Sequence, residues 1–349
     1  MRFRDLRKDN PLAQVDFPKL KRSSLDGSFF ALFTPQSMAP DAATRYALQM
    51  LSAVYDSVQA NADLAAMAYS PEEGRKNRAE GKYSVFLGME NGLPIQESLP
   101  LLRMFHRMGI RYLTLCHNGD NAICDSAAGE RKWHGLSPFG KEVVAEMNRL
   151  GMIVDLAHAS DETFWDCLSC SQAPVVTTHS SCRALAGHRR NLTDEMIRAL
   201  AAQGGVIQIN FYPAFLSDVY REKEAATGLE DKADAIEAEF IADPADPQKR
   251  AAWDAVQLEL REKLWRPGVA EVVDHIDHAV SLVGPEHVGI GTDFDGITVT
   301  PAGLEDVSHL GLVFDELRRR GYSEEAVNAI GGENFLRVWN KVIEVSNTL

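Results

Sequence analysis

Five side chains able to hold a metal ion stand at the ends of short apolar runs: Glu90 after VFLGM, His117 after YLTLC, His158 after IVDLA, His179 after VVTT and Asp293 after GIGT. Taken singly, each has an ordinary structural reading. Together they repeat one position in successive units, while the other seven histidines fall mostly in helical or loop segments. Imidazole with carboxylate suits a borderline cation such as Zn²⁺, and a carboxylate can bridge two ions roughly 3.5–4 Å apart, generating a nucleophilic hydroxide near neutral pH. Arg189 and Arg190 in HRRNLTD follow the His179 run. A guanidinium there could fork onto a substrate carboxylate or pair with Asp194 at a helix start. GTDFDG offers two aspartates, of which alternation turns Asp293 toward the other groups and Phe294 away. The chemistry these residues suit is hydrolysis of a small anionic molecule.

Such groups need elements that bring them to one place. Strand-like runs occur at 28–34, 83–90, 110–117, 152–158, 174–180, 205–211 and 287–294, seven in all. The run MIVDLAHAS is apolar enough for a strand buried on both faces, yet it ends on an imidazole. Helical patterns lie between most runs, including SPFGKEVVAEMNRLG with Ser137 as N-cap and Pro138 at its first position, and TDEMIRALAAQG beginning from Thr193. Alternating strand and helix predicts a parallel sheet with helices outside, whose C-terminal strand ends share one face where α/β enzymes assemble chemistry. His158 is then expected at that rim, holding metal. Helices are predicted at 304–321 and 323–344. Residues 216–267, dense in charge, read as an inserted pair of solvated helices: a surface appendage or dimer contact, or a flap over the site.

Composition excludes several roles. At 349 residues, 45% hydrophobic and 25% charged, the chain can bury one large α/β domain. A formal charge of −14 without a basic block argues against nucleic acid or an anionic membrane as partner and leaves small molecules. No apolar run approaches the roughly 18 residues of a membrane span, and MRFRDLRKDN has no apolar core suited to secretion, so a cytoplasmic location is expected. Five scattered cysteines suit reduced thiols, and the lone Cys167-x-x-Cys170 lacks a second pair for tetrahedral zinc.

GMENG, YLTLCHN, HGLSPFGKEVVAEMNRLGMIVDLAH, TTHSS, RRNLTD and GTDFDG, in this order, resemble the membrane (renal) dipeptidase family of metallopeptidases, peptidase family M19, from about residue 12 to 340. The resemblance implies an eight-stranded (β/α) barrel of the metallo-dependent hydrolase kind spanning 1–349, with a binuclear zinc site that hydrolyses dipeptides, including those with a D-residue at the carboxyl end. It also suggests a homodimer. Carried onto matching positions, Glu90 would bridge the metals, and His158 and His179 would hold the second. His117 would contact substrate and stabilise the oxyanion, and Arg190 would bind the substrate carboxylate. Asp293 would sit by the first metal and move the proton from the attacking hydroxide to the leaving amine.

One part of the pattern is missing. The family begins with a strand ending in His-x-Asp, whose side chains ligate the first metal; here QVDFPKL at 14–20 and FRDLR at 3–7 have no such motif before them. The expectation is that the natural protein starts upstream; the competing reading is a member that has lost its first metal. Other metal hydrolases, acting on lactones, esters or phosphoesters, and an inactive metal-binding homologue remain alternatives.

Overall fold

The computed structural model describes residues 6–243 and 245–349. Its strands are β1 (Gly27–Phe33), β2 (Ala65–Met67), β3 (Tyr83–Glu90), β4 (Ile110–Thr114), β5 (Ile153–Asp155), β6 (Val176–Ser180), β7 (Val206–Asn210) and β8 (Val288–Gly291). All pair in parallel, in the order β1, β3, β4, β5, β6, β7, β8, with β2 beside the start of β3. The seven predicted runs are this path. The short β2, whose apolar stretch has no alternation to mark it, is an addition to them. Among the described residues no ladder joins β8 to β1, so the sheet curls as a parallel (β/α) half-barrel with helices outside.

Local chemistry sets the helix boundaries. Ser137 accepts from the Gly140 N–H at the start of the helix Pro138–Leu150, and Gly151 ends it with φ of 71°. Thr193 caps Asp194–Ala202 in the same way, and Ser160 caps Asp161–Cys170. Capping groups and a left-handed glycine are local features, which is why these boundaries could be anticipated. The charged segment departs from expectation. It forms three helices, Asp218–Ala225, Leu229–Ala242 and Pro247–Lys263, and its buried Tyr220, Phe240, Trp253, Val256 and Leu260 make a small core with Phe215 and Val299. Its apolar residues recur at helical spacing but are outnumbered by charge.

Interior positions of the curled sheet change character from bottom to top. The lower layer holds Phe86, Tyr112, Ile153, Val176 and Val206, packed against Phe335, Val338, Trp339 and Val342 of the last helix, Asn334–Ser346. Phe29 joins this layer, with ring centroids 5.1 Å from Phe86 and 5.2 Å from Tyr112. Further along, the same face turns polar: two residues on at Thr114, Asp155 and Thr178, and four on at Glu90, after Gly88, and at Asn210, after Gln208. Register places Glu90 opposite Thr114 and Thr114 opposite Asp155. Aromatic bulk below thus supports a polar rim above.

Gly88 shows how tightly that floor is filled. It lies opposite Tyr112, and a Cβ on Gly88 would meet the Tyr112 ring at 2.1 Å. Gly88→Ala should therefore cost about 1–3 kcal/mol of stability by overpacking. Urea unfolding of Gly88→Ala, and of Gly88→Ala combined with Tyr112→Leu, checks the cause: the second change should recover part of the loss.

Candidate metal and substrate site

Glu90 is the last residue of β3 and His179 lies within β6, but β4, β5 and β8 stop before the other three groups. His117, His158 and Asp293 stand on the turns beyond those strands. His158 and Asp293 take φ of 67° and 57°, a left-handed conformation that no strand residue adopts and that costs free energy in a residue with a Cβ. Such backbone re-aims a side chain from the strand line toward the centre of the rim.

The rim brings three ligand atoms into a tight triangle. His158 Nε2 is 3.2 Å from Glu90 Oε1, His179 Nε2 is 3.5 Å from the same oxygen, and the two Nε2 atoms are 2.9 Å apart. Tetrahedral zinc with bonds of roughly 2.0–2.1 Å separates its ligand atoms by about 3.3 Å, so the triangle fits such an ion. His117 stands further out, its Nε2 4.0 Å from Glu90, and the ligand atoms of Glu90, His117 and His158 all lie within 4.8 Å of one another.

Hydrogen bonds on the far side of each ring prepare this face. Asn118 Oδ1 lies 3.0 Å from His158 Nδ1, and an amide oxygen can only accept, so Nδ1 carries the proton and Nε2 presents a lone pair. His179 Nδ1 is held by Thr178 Oγ1 at 2.8 Å. Two imidazole Nε2 atoms this close repel unless a proton or cation lies between them. Burial alone would raise the Glu90 carboxyl, but the two imidazoles hold it well below its usual range. Burial, reinforced by the Arg190 charge, pushes His158 well down, whereas Asp293 and Glu90 overcome burial and raise His179. Burial brings His117 down to about 4 and Asp293 up to about 6. Asn210 Nδ2 donates to Asp293 Oδ2 at 3.3 Å.

Arg190 faces the same cavity and is 6% exposed. Its NH2 group donates to the His179 carbonyl at 3.4 Å, its guanidinium lies 5.4 Å from the Phe215 ring centroid, and its buried Nε has no hydrogen-bond partner. Burial lowers it to about 10, with Asp293 and Glu90 opposing. Asp194 is engaged by His278 Nε2 at 2.7 Å, so the pairing of Arg190 with Asp194 does not form. The cavity, about 1290 Å³, is also lined by Asp234, Glu237 and Gln257 of the inserted helices.

The second aspartate of GTDFDG does other work. Asp295 accepts the main-chain N–H groups of Gln14 at 2.9 Å and Val15 at 3.0 Å, and the Gln14 side chain accepts from the Asp295 N–H and donates to the Ile297 carbonyl. Asp16 then caps the helix Phe17–Arg22. QVDFPKL is thus a docking segment for the loop after β8.

A family model described as membrane dipeptidase (peptidase family M19) matches residues 2–349. The chain belongs to this family. Relatives of the dipeptidase group include "Dipeptidase aclJ" of Aspergillus oryzae, 33% identical over 98% of this chain and 73% of the relative. Among solved structures, the probable dipeptidase PvdM from Pseudomonas aeruginosa superposes with a TM-score of 0.83 at 30% identity, covering 97% of this chain and 90% of that one. A metallopeptidase from Rhodobacter sphaeroides, bound to a phosphinate mimic of the dipeptide L-Ala-D-Ala, has a TM-score of 0.78 at 24% identity over 96% and 92% of the two chains, a likeness of fold. Membership of this dipeptidase family makes the chain a peptide-bond hydrolase and implies a metal, for which the triangle of Glu90, His158 and His179 is a matching donor set.

The residues beneath the expected site groups were not singled out from sequence. Asn118 directly follows His117, and Asp155 is a carboxylate inside an otherwise apolar strand; both signals were present. Phe215 and Asn210 carried none, because their roles depend on contacts across the chain.

Metal analysis should find zinc in the purified protein, and the double variant His158→Ala, His179→Ala should lose it. Unchanged zinc content in that variant would contradict the triangle.

Proposed function

We propose that the chain is a zinc-dependent dipeptidase, cleaving dipeptides that include those with a D-residue at the carboxyl end. The observation that carries this reading is Arg190: a buried cation with an unsatisfied donor, opening onto the cavity that holds the carboxylate–imidazole triangle. A buried guanidinium left this way is costly and pre-arranged for an anion. Because Arg190 bonds the main chain of His179 and lines the same cavity, a carboxylate held there would lie beside the metal-binding groups, as the free carboxyl end of a dipeptide would.

The other groups have complementary roles. A divalent cation held by Glu90, His158 and His179 would polarise the scissile carbonyl and acidify a water molecule. Asp293, raised to about 6 by burial, is suited to take a proton from that water and return it to the departing amine. His117, kept neutral at pH 7 by burial, can donate a hydrogen bond where negative charge develops on the substrate oxygen. Acceptance of a D-residue rests on the motif resemblance. The number of zinc ions, a homodimer and a cytoplasmic location belong to the same proposal; the free state of all five cysteines agrees with a reducing compartment.

A rate profile tests the reading. The zinc-loaded protein should hydrolyse L,L and L,D dipeptides in preference to lactones and phosphotriesters. Arg190→Ala should lower kcat/KM on free dipeptides by roughly 10–100-fold, the scale of a lost hydrogen bond to a charged group, and affect C-terminally amidated analogues far less. Turnover of lactones or phosphoesters without dipeptides, or zinc binding without turnover, would overturn the assignment.

A further inference from the structure

One carboxylate near the rim has no part in the chemistry above and touches the supports of both metal-binding histidines. Asp155 ends β5, is 0% exposed, and has four donors converging on its two oxygens. Oδ1 accepts the main-chain N–H of Ala157 at 3.0 Å and of Thr178 at 2.8 Å. Oδ2 accepts the hydroxyls of Thr114 and of Thr178, the latter at 2.7 Å. An ionised carboxylate is acceptor-only, and this one is fully occupied.

The occupation decides a proton position elsewhere. Thr178 has one hydroxyl proton, and it is committed to Asp155. Its oxygen can then only accept from His179 Nδ1, 2.8 Å away. His179 therefore carries its proton on Nδ1 and offers Nε2 as a lone pair toward Glu90 and His158. The backbone agrees with this division of labour. The β5–β6 ladder is registered at Asp155 and Val176 alone, and β6 shifts register against β7 between Thr177 and Ser180. Where main-chain pairing lapses, the Asp155 side chain takes the Thr178 N–H and sets the direction of the residue that follows. Its hold on Ala157 N fixes the turn on which His158 takes its left-handed conformation.

We infer that Asp155 is a positioning residue that, through Thr178, fixes the tautomer and aim of His179 and so makes the site competent to hold a divalent cation. The inference rests on the proposal that His158 and His179 hold that cation. Partners of this kind are typically worth 10–100-fold in metal affinity.

Thr178 gives the cleaner test, because valine matches its shape and removes only the hydroxyl, whereas serine keeps it. Zinc affinity of the full chain is measured by competition with a chromophoric chelator, alongside the visible absorption of the cobalt(II)-loaded protein and thermal unfolding without metal. Thr178→Val should bind zinc 10–100-fold more weakly and alter the cobalt spectrum. Thr178→Ser should resemble the parent in both, with metal-free unfolding of the two variants alike. Asp155→Asn should match Thr178→Val in its effect on affinity. Parent-like affinity in Thr178→Val, or an equal loss in valine and serine variants, would overturn the relay while leaving the metal assignment standing. A parent protein that takes up no zinc would overturn the metal assignment and the relay with it.

Discussion

A carboxylate can sit inside a sheet only where cations or donors face it, and Glu90 is such a case. Its strand contributes Phe86 and Gly88 to the interior below it, so nothing on β3 itself can neutralise the charge. The partners must come from other strands, and they do: imidazoles from the turn after β5 and from β6, with His117 further out. Meeting that demand fixes much else. The imidazoles must be aimed, which draws in Asn118, Thr178 and Asp155, and Arg190 stands over the same rim with its Nε unpartnered.

The graded interior makes this concentration of polar groups tolerable. Aromatic and aliphatic side chains fill the lower layer and pack against the final helix, so the surroundings beneath the rim groups are apolar. Low polarity beneath the site strengthens each interaction above it and is the shared cause of the displaced titration of His117, His158, Asp293 and Arg190, while the imidazoles overcome it at Glu90. A polar cluster at the surface of the same sheet would be weaker and less well aimed.

How much of this was legible in the sequence depends on the range of each signal. The strand path, the caps at Ser137 and Thr193 and the clustering of Glu90, His117, His158, His179 and Asp293 follow from periodicity, local capping chemistry and the rule that parallel strands share a C-terminal face. The strand end as a location held for Glu90 but not for His117, His158 and Asp293, which lie beyond their strands. Left-handed turns at His158 and Asp293 carry no compositional mark, since neither residue is glycine. The core of the inserted helices was hidden by the charge around Phe240 and Trp253. The role of Asp155 was hidden differently: a single acidic residue in an apolar strand looks like an edge or an exception until its four donors, from β4, β6 and the turn after β5, are seen together.

The link between Asp295 and the QVDFPKL segment bears on the order in which the molecule is assembled. Gln14 and Val15 are made well before their partner, which lies on the loop after β8, some 280 positions later. Until that loop exists, Phe17 and Leu20 have lost part of their burial surface and the helix they belong to has nowhere to dock. Loop closure over such a span adds little extra entropy cost at equilibrium, yet it can occur only once nearly the whole chain is available. The 14–20 segment therefore gains its place only after the strand at the opposite end of the sheet path has formed.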